Sequence, residues 1–82
     1  MKIYWHNGKK NIIGERVKEA RHNGTKPLTQ QELAAKLELL NIQLDRISIS
    51  RIESGNRFVS DYEVVALSKA LSVSLDWLLL GK

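Results

Sequence analysis

Apolar positions along the chain fall into a succession of short amphipathic segments, each opened by a residue suited to cap a helix. After Asn11, the apolar residues Ile13, Val17 and Ala20 recur at i, i+4 and i+7, with Glu15, Lys18 and Glu19 off that stripe. This spacing predicts a first helix capped by Asn11 and ended by His22-Asn23-Gly24. Thr29-Gln30-Gln31-Glu32 reads as a capping box, in which the Thr29 hydroxyl accepts from the Glu32 amide and Glu32 reaches back to the Thr29 amide. A second helix therefore starts at Gln30. Leu33, Leu37, Leu40 and Leu44 extend its stripe, and Asn41, tolerated in the left-handed conformation, marks its end.

Asp45 is placed to cap a third helix, residues 46–54, that stops at Gly55. Ser60-Asp61-Tyr62-Glu63 is a second capping box, opening a fourth helix with Val64, Leu67 and Leu71 as its stripe. Ser74 caps a short fifth helix whose core residues are expected to be Leu75, Leu78 and Leu79, with Gly81 beyond its end. Residues 1–10, with Ile3, Tyr4, Trp5 and Asn7-Gly8, show no helical period and read as a short extended arm. The expected fold is all-α and compact, with five helices over residues 11–82.

The third helix is the most informative element. With Arg46 at zero and a turn of about 100° per residue, Ile49 and Ile52 lie near 300° and 240°, so the buried direction is about 270°. On the opposite face fall Ser50 at about 40°, Ser54 at about 80°, Ile47 at about 100° and Arg51 at about 140°. An ordinary solvated helix back more often carries Glu, Lys or Gln. A small, polar, basic face with one isoleucine suits a DNA groove. Arg donates two hydrogen bonds to guanine, Ser meets base edges or phosphate, and Ile packs on a thymine methyl.

Composition narrows the function. Eighty-two residues allow one domain, and zero Cys removes disulfides, thiol nucleophiles and Cys-liganded zinc together. The net charge is +4, and it is uneven. Residues 1–58 carry eleven basic and six acidic side chains (+5), whereas residues 59–82 carry two and three (−1). A basic front on a neutral rear suits a polyanion. The longest apolar stretch, Trp77 to Leu80, is far short of the ~20 residues that span a membrane. Residues 1–10 lack the apolar segment of a signal peptide, so the expected location is the cytoplasm. His6 and His22 have no carboxylate in metal-ligand spacing, and no nucleophile-base-acid set stands out. No enzyme activity, cofactor, metal or small-molecule ligand is expected.

Three motifs in order, Leu28-Thr29-Gln30-Gln31-Glu32-Leu33-Ala34, Ile49-Ser50-Arg51-Ile52-Glu53-Ser54-Gly55 and Val73-Ser74-Leu75-Asp76-Trp77-Leu78, resemble the lambda-repressor-like, Xre-type helix-turn-helix transcription regulators. The likeness covers about residues 12–81. It implies that the second and third helices form the helix-turn-helix, residues 29–54, and that the third enters the major groove of double-stranded DNA. By the same resemblance Arg46, Ile47, Ser48, Ser50 and Arg51 correspond to the base-reading face, in agreement with the helical wheel. Thr29, Gln30, Gln31, Ser54, Asn56 and Arg57 correspond to positions that meet the sugar-phosphate backbone. Arg21 and Glu53 resemble the family's structural ion pair between helices.

The chain departs from the family pattern between Leu33 and Glu53. The usual tight, Gly-containing turn is replaced by a longer segment around Glu38 to Gln43, which leaves the angle between the second and third helices open. Residues 22–26 also form a longer surface loop. Tyr62, Val65, Trp77 and Leu80 are either lids on the core or contacts of a homodimer, the state suited to two half-sites about one helical turn apart. In the arm, Tyr4 and Trp5 are expected to pack across the first helix; the alternatives are that Lys2, Lys9 and Lys10 follow phosphates, or that the arm is disordered. The functional expectation is a sequence-specific regulator, most simply a repressor. The alternative is an antitoxin-type module that neutralises a partner protein and autoregulates its operon.

Overall fold

The structure, a computed structural model, describes residues 7–82. The expectations for Lys2, Tyr4 and Trp5 lie outside those residues. Five helices make up the regular structure: α1 (Gly14–Asn23), α2 (Gln30–Leu39), α3 (Arg46–Ser54), α4 (Asp61–Leu71) and α5 (Leu75–Leu80).

Side chains satisfy the amides that open these helices, because the first turn has no preceding carbonyls to bond. The Glu32 amide donates to Thr29 Oγ1 (3.0 Å) and the Thr29 amide to Glu32 Oε1 (2.8 Å), closing the predicted box. The Ser48 amide donates to Asp45 Oδ1 (2.8 Å) and the Trp77 amide to Ser74 Oγ (3.0 Å). At α4 the Ser60 amide donates to Glu63 Oε1 (2.9 Å). Asn11 caps from further out than expected. Its Oδ1 accepts from the amides of Ile13 (3.2 Å) and Gly14 (2.9 Å), and the helix proper begins at Gly14.

Four helices, α2 to α5, end by the same device, in which a left-handed residue turns two amides back onto the last carbonyls, Gly81 (φ +76°) closing α5. At α2 the Asn41 amide reaches Glu38 O and the Ile42 amide reaches Leu37 O, both at 3.0 Å. Gly55 (φ +82°) does this for α3 and Ser72 (φ +56°) for α4. Gly24 differs from expectation. It is extended, and the loop after α1 is held instead by the Leu28 amide donating to Arg21 O (3.0 Å).

The core contains Ile13 and Val17 of the first segment, Leu33 and Leu37 of α2, Ile49 and Ile52 of α3, Val64, Ala66, Leu67 and Ala70 of α4, and Leu78 of α5. Leu44, beyond the end of α2, is buried with them. Two expected core positions are exposed. Leu40 is the residue at which α2 stops, so it has left the helical rotation that would carry it inward, and Ile42 and Leu44 pack there instead. Leu75 opens the six-residue α5 and also stays outside, since so short a helix buries essentially one position, Leu78.

The close crossing of α1 over α3 depends on a residue whose importance no periodicity shows. A Cβ built on Gly14 would lie 2.3 Å from the carbonyl oxygen of Ile52 and 3.0 Å from that of Glu53. Both obstacles are backbone of the helix with the outward basic face. We expect Gly14→Ala to destabilise the fold by about 1–3 kcal/mol, the usual cost of overpacking, despite alanine's better helix propensity. Urea denaturation checks this, and an unchanged midpoint would show that the two helices separate without cost.

Candidate nucleic-acid interface

Hydrophobic burial orients α3. Ile49 and Ile52 are fully buried, which turns Arg46, Ile47, Ser50, Arg51 and Ser54 outward. Ser48 is half-buried at the edge of that face. Ile47 is 55% exposed, a large apolar side chain left in water among serines and arginines. The Ser54 hydroxyl donates back to the carbonyl of Arg51 (3.1 Å).

The remaining side of α3 carries a buried ion pair. Arg21 Nε donates to Glu53 Oε2 (2.8 Å) and Arg21 Nη2 to Glu53 Oε1 (3.0 Å), while Nη1 donates to the Leu28 carbonyl (2.9 Å). The hydrogen bond to Glu53 raises the Arg21 pKa further, against the opposing effect of burial. Gln30 joins the network, donating its side-chain amide to Glu53 Oε1 (3.2 Å). That side chain, expected to face a phosphate, is tied to α3 here. At the start of α2 the main-chain amides of Gln30 and Gln31 precede the first intrahelical acceptor, and the Gln31 side chain is exposed.

Arg57, expected on the phosphate backbone, is bonded within the protein in the loop after α3. Its Nη1 and Nη2 donate to Glu63 Oε1 (3.0 Å) and Oε2 (3.2 Å), and Nη1 also donates to the Phe58 carbonyl (2.9 Å). The guanidinium is spent on closing the α3–α4 loop over the capping carboxylate of α4. A six-residue separation across a loop gave no sign of this pairing. Asn56, by contrast, is exposed at the end of α3.

With Arg21 buried against Glu53 and the half-buried Arg57 paired with Glu63, the outward face of α3 itself carries the charges of Arg46 and Arg51. Neither belongs to an ion pair among the described residues, whose third pair is Lys9–Glu15 at 3.6 Å. Asp45 lies beside them. Its carboxyl is held below its ordinary range by the hydrogen bonds from Ser48 first, then by the charges of Arg51 and Arg46.

The residues before α1 are pinned to the far end of α3. The Lys10 amide donates to Gly55 O (2.8 Å), and Asn11 Nδ2 donates to Ile52 O (3.1 Å) and Arg57 O (2.8 Å). The Lys9 stem lies across Gly55, and the Lys10 ammonium sits 5.7 Å from the centre of the Phe58 ring. Of the four apolar residues considered for self-association, Tyr62, Val65 and Leu80 are exposed. Trp77 is half-buried, lining a groove with Leu28, Ala70 and Val73. Among the described residues, no helix is long and apolar enough to cross a membrane.

Residues 26–78 match the family described as helix-turn-helix. Among solved structures, the chain is similar to the P22 c2 repressor protein in complex with synthetic operator 9T, in the presence of Tl+. Sequence identity is 28% over 88% of this chain and 98% of that one, with a TM-score of 0.70. No curated protein matches the sequence.

Two predictions follow from the polar contacts. Breaking the buried pair by Glu53→Ala should cost about 3–5 kcal/mol because Arg21 is left unpaired, and replacing both partners by apolar residues of similar volume should recover most of it. Chemical denaturation of the single and double variants decides the matter, and a single variant of wild-type stability would remove the pair's structural role. The second concerns acid. Glu32 is held below its ordinary pKa by donation from Thr29, and Asp45 by donation from Ser48; burial pushes Glu63 up, but the Arg57 and Ser60 hydrogen bonds outweigh it. With folded values depressed, the unfolded chain binds more protons, so stability is full above about pH 5 and falls as pH drops through the carboxylate range. Denaturation midpoints across that range should decline, and Glu32→Gln or Asp45→Asn should flatten the decline.

Proposed function

We propose that this chain, which belongs to the lambda-repressor-like helix-turn-helix family, is a sequence-specific double-stranded DNA-binding transcription regulator, most simply a repressor. Binding, with no catalytic step, is its activity. The observation that carries this reading is the outward face of α3: two arginines outside every ion pair among the described residues, serines and one exposed isoleucine on a helix whose other side is fixed by burial and an ion pair. The likeness to a repressor bound to operator DNA supports it.

In the proposed complex α3 lies in the major groove. Arg46 and Arg51 donate to guanine edges, Ile47 packs on a thymine methyl, and Ser48 and Ser50 meet base edges. Thr29, Gln31 and the first amides of α2 face one flanking phosphate strand, with Gln30 acting through its main-chain amide, and Ser54 and Asn56 face the other. Such contacts place the domain and carry no sequence information. Two copies on DNA, joined through some of Tyr62, Val65, Trp77 and Leu80, would read symmetric half-sites roughly 34–36 Å apart.

The test is selection of bound sequences from random duplex DNA at two salt concentrations. Enrichment of a symmetric motif is expected, and its absence would overturn the reading. Arg46→Ala or Arg51→Ala should cost about 1–3 kcal/mol on the selected site and relax the motif at one position each. If the double variant protects the same site with wild-type affinity, α3 is not the reading helix.

A further inference from the structure

The lengthened turn between α2 and α3 presents a side chain that neither the sequence motifs nor the likeness to known repressors assigns. We infer that Gln43 is a specificity-determining residue that reads an adenine at the flank of each half-site. This rests on the proposed function and adds a reading element to it.

The turn is held on both sides of Gln43. Asn41 adopts the left-handed conformation (φ +63°), and the Ile42 amide donates to Leu37 O (3.0 Å), so the chain leaves α2 in one defined direction. Ile42 packs against the core, and Leu44 is 3% exposed. Asp45, the next residue, is extended (φ −78°, ψ 176°) and locked by the Ser48 amide. Along this extended piece, inward residues at 42 and 44 turn residue 43 outward, following the two-residue alternation of extended chain. Gln43 is exposed, and its side-chain amide makes no hydrogen bond among the described residues. A polar group projected from so firmly anchored a segment loses little backbone freedom on binding.

Its position points the same way. Gln43 lines a depression of about 440 Å³ together with Gln31, Glu38, Asp45 and Ser48, next to the N-terminal end of α3. The N-terminal residues of a recognition helix are those that reach base edges. Two carboxylates, Glu38 and Asp45, line the same depression, and Asp45 is held ionised by its cap. Next to Gln43, at the Asp45 side of the depression, that charge disfavours a phosphate and leaves base edges as the suitable ligand. A glutamine amide matches adenine, donating to N7 while accepting from the N6 amino group.

Selection from random duplexes with the full chain tests this against Gln43→Ala. In the wild-type motif an A·T pair should appear at one flanking position of each half-site, preferred by roughly five- to a hundredfold over other bases. In Gln43→Ala that column should become flat while the columns altered by Arg46→Ala and Arg51→Ala stay sharp, with an unchanged thermal midpoint. Identical motifs for the two proteins would overturn the inference. So would a uniform loss of affinity with every column intact, which is the signature of a phosphate contact, or a flanking preference for another base. A wild-type chain that enriches no motif would instead sink the reading on which the inference rests.

Discussion

The ion pair between Arg21 and Glu53 is the constraint on which the rest of this structure depends. Four parts of the chain meet at it: α1 supplies the guanidinium, α3 the carboxylate, Leu28 a carbonyl and α2 the Gln30 amide. Apolar packing alone tolerates some sliding and rotation between short helices, since dispersion contacts are non-directional. A bidentate fork of planar groups does not, because both hydrogen bonds fail together when the helices turn. Burial of the pair adds little net stability, since removing two charges from water offsets much of their attraction. What it contributes is one orientation of α3 relative to α1 and α2, and hence one direction for the face that carries Arg46, Ile47, Ser50 and Arg51.

The same orientation is held from the other end of α3. Asn11 opens α1 with its oxygen and satisfies the carbonyls of Ile52 and Arg57 with its nitrogen, so one amide group ties the start of the domain to the end of α3. Gly14 permits the backbones to approach closely enough for this. Arg16 works at a distance from the interface, donating to Leu78 O (3.2 Å) near the C-terminus of α5, where a positive charge suits the helix dipole.

Net charge gives a poorer account of the interface than pairing does. Of the arginines in the basic front, Arg21 and Arg57 are tied up by Glu53 and Glu63, and Lys9 leans toward Glu15. Arg46 and Arg51 remain outward on a single helix. The +4 total is compatible with many surfaces, whereas two exposed guanidiniums flanking an exposed isoleucine suit a groove that offers both acceptors and methyl groups.

The helices, their starting caps and most of the core were legible in the sequence, because these are local properties. A capping box spans four residues, and a buried stripe repeats every three or four, so Thr29 with Glu32, or Ile49 with Ile52, announce themselves. Arg21 with Glu53 was legible only through the family resemblance. Arg57, a backbone-contact position by the same resemblance, also pairs with Glu63, which no local pattern announces. Gln30, a phosphate-contact position by that resemblance, also donates to Glu53 of the buried pair. Gly14 and Gln43 gave no periodic signal at all. By itself the sequence determined where each helix begins and which face it buries, since both follow from the backbone hydrogen-bonding needs and rotation of one segment. The tertiary structure alone decided which charges cancel, which backbones touch and how the long turn is anchored, since those depend on groups far apart in the chain that only the packed fold brings within hydrogen-bonding distance.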